Sequence, residues 1–134
     1  MATVIETSMW IDFFRPRTPA SIKHQIKPWI MREDAALCEP VVCELLRSAA
    51  ARERPLIQNH FGTLPVLTTP VNLWAEATRL GQTCSDAGVI VGALDLLIAT
   101  VCIQHRASLI TFDEDFAKVA KLSRLQVHVL ERAG

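Results

Sequence analysis

Asp95 is the residue hardest to account for as mere structure. It falls in the stretch from Gly92 to about His105, where Leu94, Leu97, Ile98, Val101 and Cys102 recur as on a buried helix. Its neighbours at helical spacing, Val91, Gly92, Ile98, Ala99 and Cys102, are all apolar, and its own helix offers no basic partner. A buried ionised carboxylate costs several kcal/mol unless it is paired, protonated or bound to metal, so something elsewhere in the fold must compensate it.

Three more acids have a claim to join it. Glu6 ends a short β-branched run, Thr3 to Glu6, and Asp113 follows the strand-like Ser108 to Thr111. Ligands of α/β sheets bind at the carboxyl ends of strands, which is where both fall. Each also has an ordinary reading: Glu6 as a solvent-exposed strand end, Asp113 as a helix N-cap. Glu44 sits at the edge of an apolar helical face with Arg47 and Ser48 one turn ahead, and is either a ligand or an exposed acid with a weak partner. Asp115 reads as a first-turn partner of a helix dipole. Glu6, Glu44, Asp95 and Asp113 together would converge as hard oxygen ligands, which suits magnesium or manganese far better than zinc. Phosphoryl transfer is the natural use of such a site.

The elements around these acids predict an α/β fold, with a central parallel sheet and helices on both faces. Thr3 to Glu6 is a strand that meets Thr7 and Ser8, helix N-caps, ahead of Met9, Trp10, Ile11, Phe13 and Phe14. A helix from Thr18 to about Arg32 carries Ile22, Ile26, Trp29 and Ile30, with Pro28 expected to kink or end it. Ala35 to Cys38 is a second strand, and Pro40 opens a helix through about Arg52 whose apolar face is Val41, Val42, Leu45, Leu46 and Ala49. Pro55 to about Phe61 is helical, Pro65 to Leu67 a connector, and Pro70 opens a helix through about Leu80 with Leu73, Trp74, Ala77 and Leu80 facing inward. Gly81 and Gly88 bracket a loop. Asp113 begins an amphipathic helix through about Leu122, and Leu125 to Leu130 is the last strand.

Composition narrows the function. The chain has 134 residues, half of them hydrophobic, so residues 1–134 read as a single domain able to fill its own core, and intrinsic disorder is excluded. Fourteen basic and fourteen acidic side chains give no net charge, so nucleic acid would have to be held by a local basic patch. Arg15, Arg17, Lys23, Arg47, Arg52 and Arg54, near the first two acidic blocks in sequence, are candidates for such a rim. Cys38, Cys43, Cys84 and Cys102 form no CxxC pair and read as buried reduced thiols, and His24, His60, His105 and His128 have no motif around them. The N-terminal MATVIETSMW lacks the charge pattern of a secretion signal, and the two least charged stretches, Pro55 to Ala75 and Ala87 to Gln104, are broken by proline or glycine. A cytoplasmic protein with no membrane partner is expected.

Four blocks in order, VIETSMWIDFF, EPVVCELLRSA, ALDLLIAT and LITFDEDFAKVA, give the chain a family likeness. It resembles the PIN-domain ribonucleases, specifically the VapC-type toxins, from Val4 to about Ala120. The resemblance implies a metal-dependent endoribonuclease with a PIN-like parallel sheet, acting as the toxin of a toxin-antitoxin pair, with a small antitoxin as partner and a homodimer as assembly. It places Glu44, Asp95 and Asp113 at the family's second, third and fourth acidic positions, Thr111 at its polar position two before the fourth, and Asp115 at an auxiliary acidic position. The first position is normally Asp; here it is Glu6, followed by the usual Thr7 and Ser8.

The mechanism this implies uses Mg²⁺ or Mn²⁺ on the carboxylates to activate water, with Thr7 and Thr111 positioning ligands through hydrogen bonds. Glutamate keeps the charge at position 6 but lengthens the side chain by one methylene, and a misplacement of about 1 Å can cost about a hundredfold in rate. Glu6→Asp is therefore expected to raise the cleavage rate. The alternative is a weakened or inactive PIN protein that binds RNA or antitoxin without cutting. A phosphate-accepting receiver domain would also gather acids at strand ends, but its mid-chain aspartyl nucleophile and later lysine have no counterpart here. The helices Ile22 to Ile30 and Val41 to Ala49 are expected to leave apolar side chains exposed as the antitoxin groove.

Overall fold

The computed structural model describes residues 1–133. Its elements in chain order are β1 (Thr3–Ile5), α1 (Thr7–Phe14), α2 (Ala20–Ile30), β2 (Ala35–Cys38), α3 (Glu39–Ser48), α4 (Arg54–Phe61), β3 (Val66–Leu67), α5 (Leu73–Asp86), α6 (Ala93–His105), β4 (Ser108–Thr111), α7 (Asp115–Lys121) and β5 (Gln126–Val129). The five strands pair in parallel in the order β3-β2-β1-β4-β5. All residues of β1 and β2 are buried, as parallel strands must be when helices cover both faces. The α/β sheet with flanking helices read from the sequence is therefore present.

Strand order decides where a ligand can sit. From β1 the chain moves out through β2 to β3, then returns to lay β4 on the other side of β1 and β5 beyond it. The direction of winding reverses between β1 and β4, which opens a crevice at their carboxyl ends. Val4 pairs with Leu109 and Ile5 with Ile110, so Glu6 and Thr111 leave the sheet side by side.

Several local expectations are corrected. The connector Pro65–Leu67 contains the edge strand β3, too short to show any alternation of its own. Gly81 does not begin a loop: α5 runs through it to Asp86, and a Cβ there would stand 3.1 Å from the Leu96 Cδ1 of α6, which packs against α5. Trp74, expected inward, is 72% exposed, while Leu73 and Ala77 are buried. Pro28 lies inside α2, and the helix continues past it for two residues to Ile30. Of the four thiols, Cys43 is exposed; Cys38 is buried and its thiol is pushed up to about 11, and burial also pushes up that of Cys102.

The core is built from both ends of the chain. Val4, Ile5, Met9 and Trp10 pack with Ile98, Val101, Leu109 and Ile110 in one buried cluster. At the end of α6, Arg106 takes a left-handed conformation (φ 54°), and the Ala107 N–H donates back to the Cys102 carbonyl at 2.9 Å. That closure is a familiar helix stop, and it turns the chain into β4. Among the described residues no helix is long and apolar enough to cross a membrane.

Candidate active site

Glu6 is the residue the local sequence places most firmly. It is the N-cap of α1, in extended conformation, and its carboxylate accepts from Ser8 N–H at 2.8 Å. Thr7 and Ser8, expected as caps, occupy the first helical positions instead. Glu6 Oε1 also accepts from the Ser8 hydroxyl at 2.5 Å and from the Thr111 hydroxyl at 2.8 Å. A carboxylate offers about four acceptor positions, so these donors leave Glu6 about one. Its 6% exposure rules out the reading of a solvated strand end.

Thr111 joins two of the acids. While its hydroxyl donates to Glu6, its oxygen accepts the Asp113 N–H at 2.9 Å, and Asp113 Oδ1 in turn accepts the Asp115 N–H at 2.9 Å. Asp113 therefore does cap the start of α7, and that role also holds its carboxylate at the mouth of the crevice. Thr7 differs from expectation: its hydroxyl is buried with no hydrogen-bond partner, and Ser8 holds Glu6 in its place. The position of Ser8, two after an acidic N-cap, is the sequence signal that marks it, because N-cap side chains bond the N–H two or three residues on.

Asp95, in the first turn of α6, is half-buried and feels every other acid of the set. Its carboxyl is raised from the usual 3.8 to about 6, first by burial and then by the negative charges of Glu6, Glu44, Asp113 and Asp115. Charges at the start of α1, on α3 and on the β4–α7 turn thus all act on this one side chain of α6. Lys118 pairs with Asp115 at 3.2 Å, but none of Glu6, Glu44, Asp95 or Asp113 has a cationic partner among the described residues. Three of the histidines have other partners: His60 meets Trp10 and Phe14 edge-on and Phe13 at a tilt, His105 bonds the Thr68 carbonyl at 2.7 Å, and His128 lies against Trp29.

This donor set, all oxygen and short of positive charge, fits a hard divalent cation in charge and in ligand type. As placed, no three acidic, histidine or cysteine side chains among the described residues stand close enough to share one ion.

The expected apolar groove keeps its α3 side, through Leu45 and Ala49, and loses its α2 side. Ile22, Ile26 and Ile30 of α2 are buried in the core, so that face is not open. A concave surface lies instead between α1, α3 and α4, lined by Ile11, Phe14, Leu45, Ala49 and Ile57 with Arg15 and Glu53 among its polar residues.

The chain and its fold are similar to known proteins. The PIN domain model matches residues 3–122. Ribonuclease VapC21 of Mycobacterium tuberculosis is 30% identical over 125 residues, covering 90% of this chain and 90% of the relative. Ribonuclease VapC11 of the same species is 27% identical over 134 residues, covering 92% and 95%. Among solved structures, VapBC2 from Rickettsia felis, bound to a promoter DNA fragment, is similar with a TM-score of 0.77 at 18% identity, covering 98% of this chain and 100% of that one. VapBC-1 from nontypeable Haemophilus influenzae is similar with a TM-score of 0.73 at 19% identity, covering 96% and 98%. At these identities the structural likeness is one of fold.

Proposed function

The chain belongs to the PIN domain family, among the VapC-type ribonucleases, and on that premise we propose that it is the endoribonuclease toxin of a toxin-antitoxin module, hydrolysing RNA phosphodiester bonds with Mg²⁺ or Mn²⁺. The observation that carries the reading is Asp95: a half-buried carboxylate raised to about 6 first by burial and then by four neighbouring acids, with no cation paired to it among the described residues. Such crowding is costly without positive charge to offset it, and a divalent ion supplies that charge.

Glu44, Asp95 and Asp113 would hold the ion once their side chains turn onto it, with Glu6 contributing at most its remaining acceptor position. When bound, the ion lowers the pKa of a coordinated water and stabilises charge on the scissile phosphate. The chain's own part is positional. Ser8 and Thr111 fix Glu6, Thr111 fixes the turn that carries Asp113, and the first turn of α6 presents Asp95. The exposed Arg15, Arg17, Arg47, Arg52 and Arg54, with the half-buried Lys23, would draw the RNA backbone toward an otherwise repulsive site.

The partner proposed is a small antitoxin, seated in the groove between α1, α3 and α4, and the assembly proposed is a homodimer. Two solved neighbours of the same fold carry the name VapBC. A second reading, a PIN protein that binds without cutting, is favoured by one observation: most of Glu6's acceptor capacity is already used inside the protein.

The test is Mn²⁺ titration together with RNA cleavage, for the wild type and Asp95→Asn. Mn²⁺-dependent cleavage and tight Mn²⁺ binding are expected in the wild type, with both lost in the variant. Equal Mn²⁺ affinity in the two proteins would remove Asp95 from the site. Binding of Mn²⁺ with no cleavage of any RNA would favour the second reading.

A further inference from the structure

Beyond β5 the chain makes specific contacts with the end of β4 and with α1 and α2. The Leu130 N–H donates to the Thr111 carbonyl at 2.8 Å. The Gln25 side chain of α2 then holds the next residues by both ends of its amide: Nε2 donates to the Glu131 carbonyl at 2.5 Å, and Oε1 accepts the Ala133 N–H at 3.0 Å. Between those two anchors Arg132 reaches inward. Its Nη1 donates to Asp12 Oδ2 at 2.6 Å, and its guanidinium carbon lies 5.3 Å from the centre of the Phe112 ring.

Both contacts of Arg132 fall on elements that grip Glu6. Asp12 is on α1, one helical turn beyond Ser8 and on the same face. Phe112 stands between Thr111, which bonds Glu6, and Asp113, whose N–H bonds Thr111. The guanidinium therefore ties the two sides of the Glu6 cradle together from outside. An exposed ion pair alone would be worth little, but the Asp12 side chain is only 13% exposed, the ring fixes the guanidinium plane, and Gln25 fixes the backbone on either side.

We propose that Arg132 is a positioning residue of the carboxylate site, setting the spacing between α1 and the Thr111–Asp113 turn and through it the placement of Glu6 and Asp113. The proposal rests on the reading of that site as the catalytic centre. Nothing in the four sequence blocks includes Arg132, which lies beyond the last of them.

The experiment compares Arg132→Ala, Arg132→Lys, Asp12→Asn and the double variant Asp12→Asn/Arg132→Ala by amide hydrogen exchange without metal or RNA, and by Mn²⁺-dependent RNA cleavage. In Arg132→Ala, exchange at Ser8 and Asp113 should quicken about tenfold, while Leu109 and Ile110 in β4 stay as protected as before. The kcat should fall about ten- to hundredfold, as a shift of about 1 Å in reacting groups predicts, with KM changed less than about threefold. Asp12→Asn should reproduce the defect, the double variant should be no worse than Arg132→Ala alone, and Arg132→Lys should recover part of the loss by restoring the charge pair. Unchanged exchange at Ser8 and Asp113 overturns the proposal, and so does a rise in KM with kcat intact, which would make Arg132 an RNA contact. Exchange needs neither metal nor substrate, so a wild-type protein that cleaves no RNA would defeat the ribonuclease reading while the clamp is still judged on the amides.

Discussion

The Thr111 hydroxyl donates a 2.8 Å hydrogen bond to Glu6 Oε1 across the β1–β4 pair, joining residues 105 positions apart. Thr111 is fully buried and its oxygen also receives the Asp113 N–H, so one hydroxyl couples two carboxylate positions. Thr111→Val keeps the shape and removes both bonds. It should lower stability by about 1.5–3 kcal/mol, the range for a hydrogen bond to a charged group, whereas Thr111→Ser keeps the hydroxyl and should lose about 1 kcal/mol with its methyl. Urea denaturation of the two variants checks this, and equal losses would show that the hydroxyl carries no weight.

Asp95 gives the cation-free protein a pH dependence of definite sign. Its carboxyl sits at about 6 in the fold against the usual 3.8 of an unfolded chain, so the folded state binds the proton more tightly. The associated stability is fully present below about pH 4 and is lost as pH rises through about 6. Asp95→Asn carries no charge, and in chelator at pH 7 it should be more stable than the wild type by about 1–2 kcal/mol, discounted for partial exposure. At pH 4 the difference should close. Denaturation curves at both pH values measure it, and a variant less stable at pH 7 would make Asp95 a structural partner.

For Glu6→Asp the hydrogen bonds argue for the opposite of what the family likeness implies. Two donors on Ser8 and one on Thr111 meet the carboxylate at glutamate's reach. Aspartate is a good N-cap and would keep the Ser8 N–H, but one methylene less draws it away from Thr111 and leaves a buried hydroxyl without its acceptor. Glu6→Asp should lose about 1–2 kcal/mol of stability, and cleavage should slow rather than quicken. A faster enzyme would show that glutamate holds the site below its potential.

Gly81→Ala probes the packing behind Asp95. Alanine gains about 1 kcal/mol of helix propensity over glycine, against a Leu96 methyl that must yield a few tenths of an ångström. Leu96 is half-buried and its terminal methyl can turn, so the net effect should be a stabilisation of about 0.5 kcal/mol, read as a higher Tm. A loss instead would mean that Leu96 is locked and that α6 moves with it.

The sequence by itself determined most of the elements and singled out the acids as candidates. β-branched Thr3–Ile5, the prolines near the starts of α3 and α4, and the apolar period of α6 are local features, and local hydrogen bonding and helical spacing are enough to read them. Asp95 stood out for the same reason, since its anomaly is defined by neighbours three and four residues away. Tertiary structure alone decided what needs distant partners: that β4 lies against β1 and so brings Thr111 to Glu6, that β3 is held at the edge by β2, that Gly81 serves an interhelical contact, that Trp74 faces out, and that Arg132 returns to Asp12 and Phe112. No local period encodes those pairings, because their free energy comes from surfaces that meet only once the crossovers have closed and the sheet order is set.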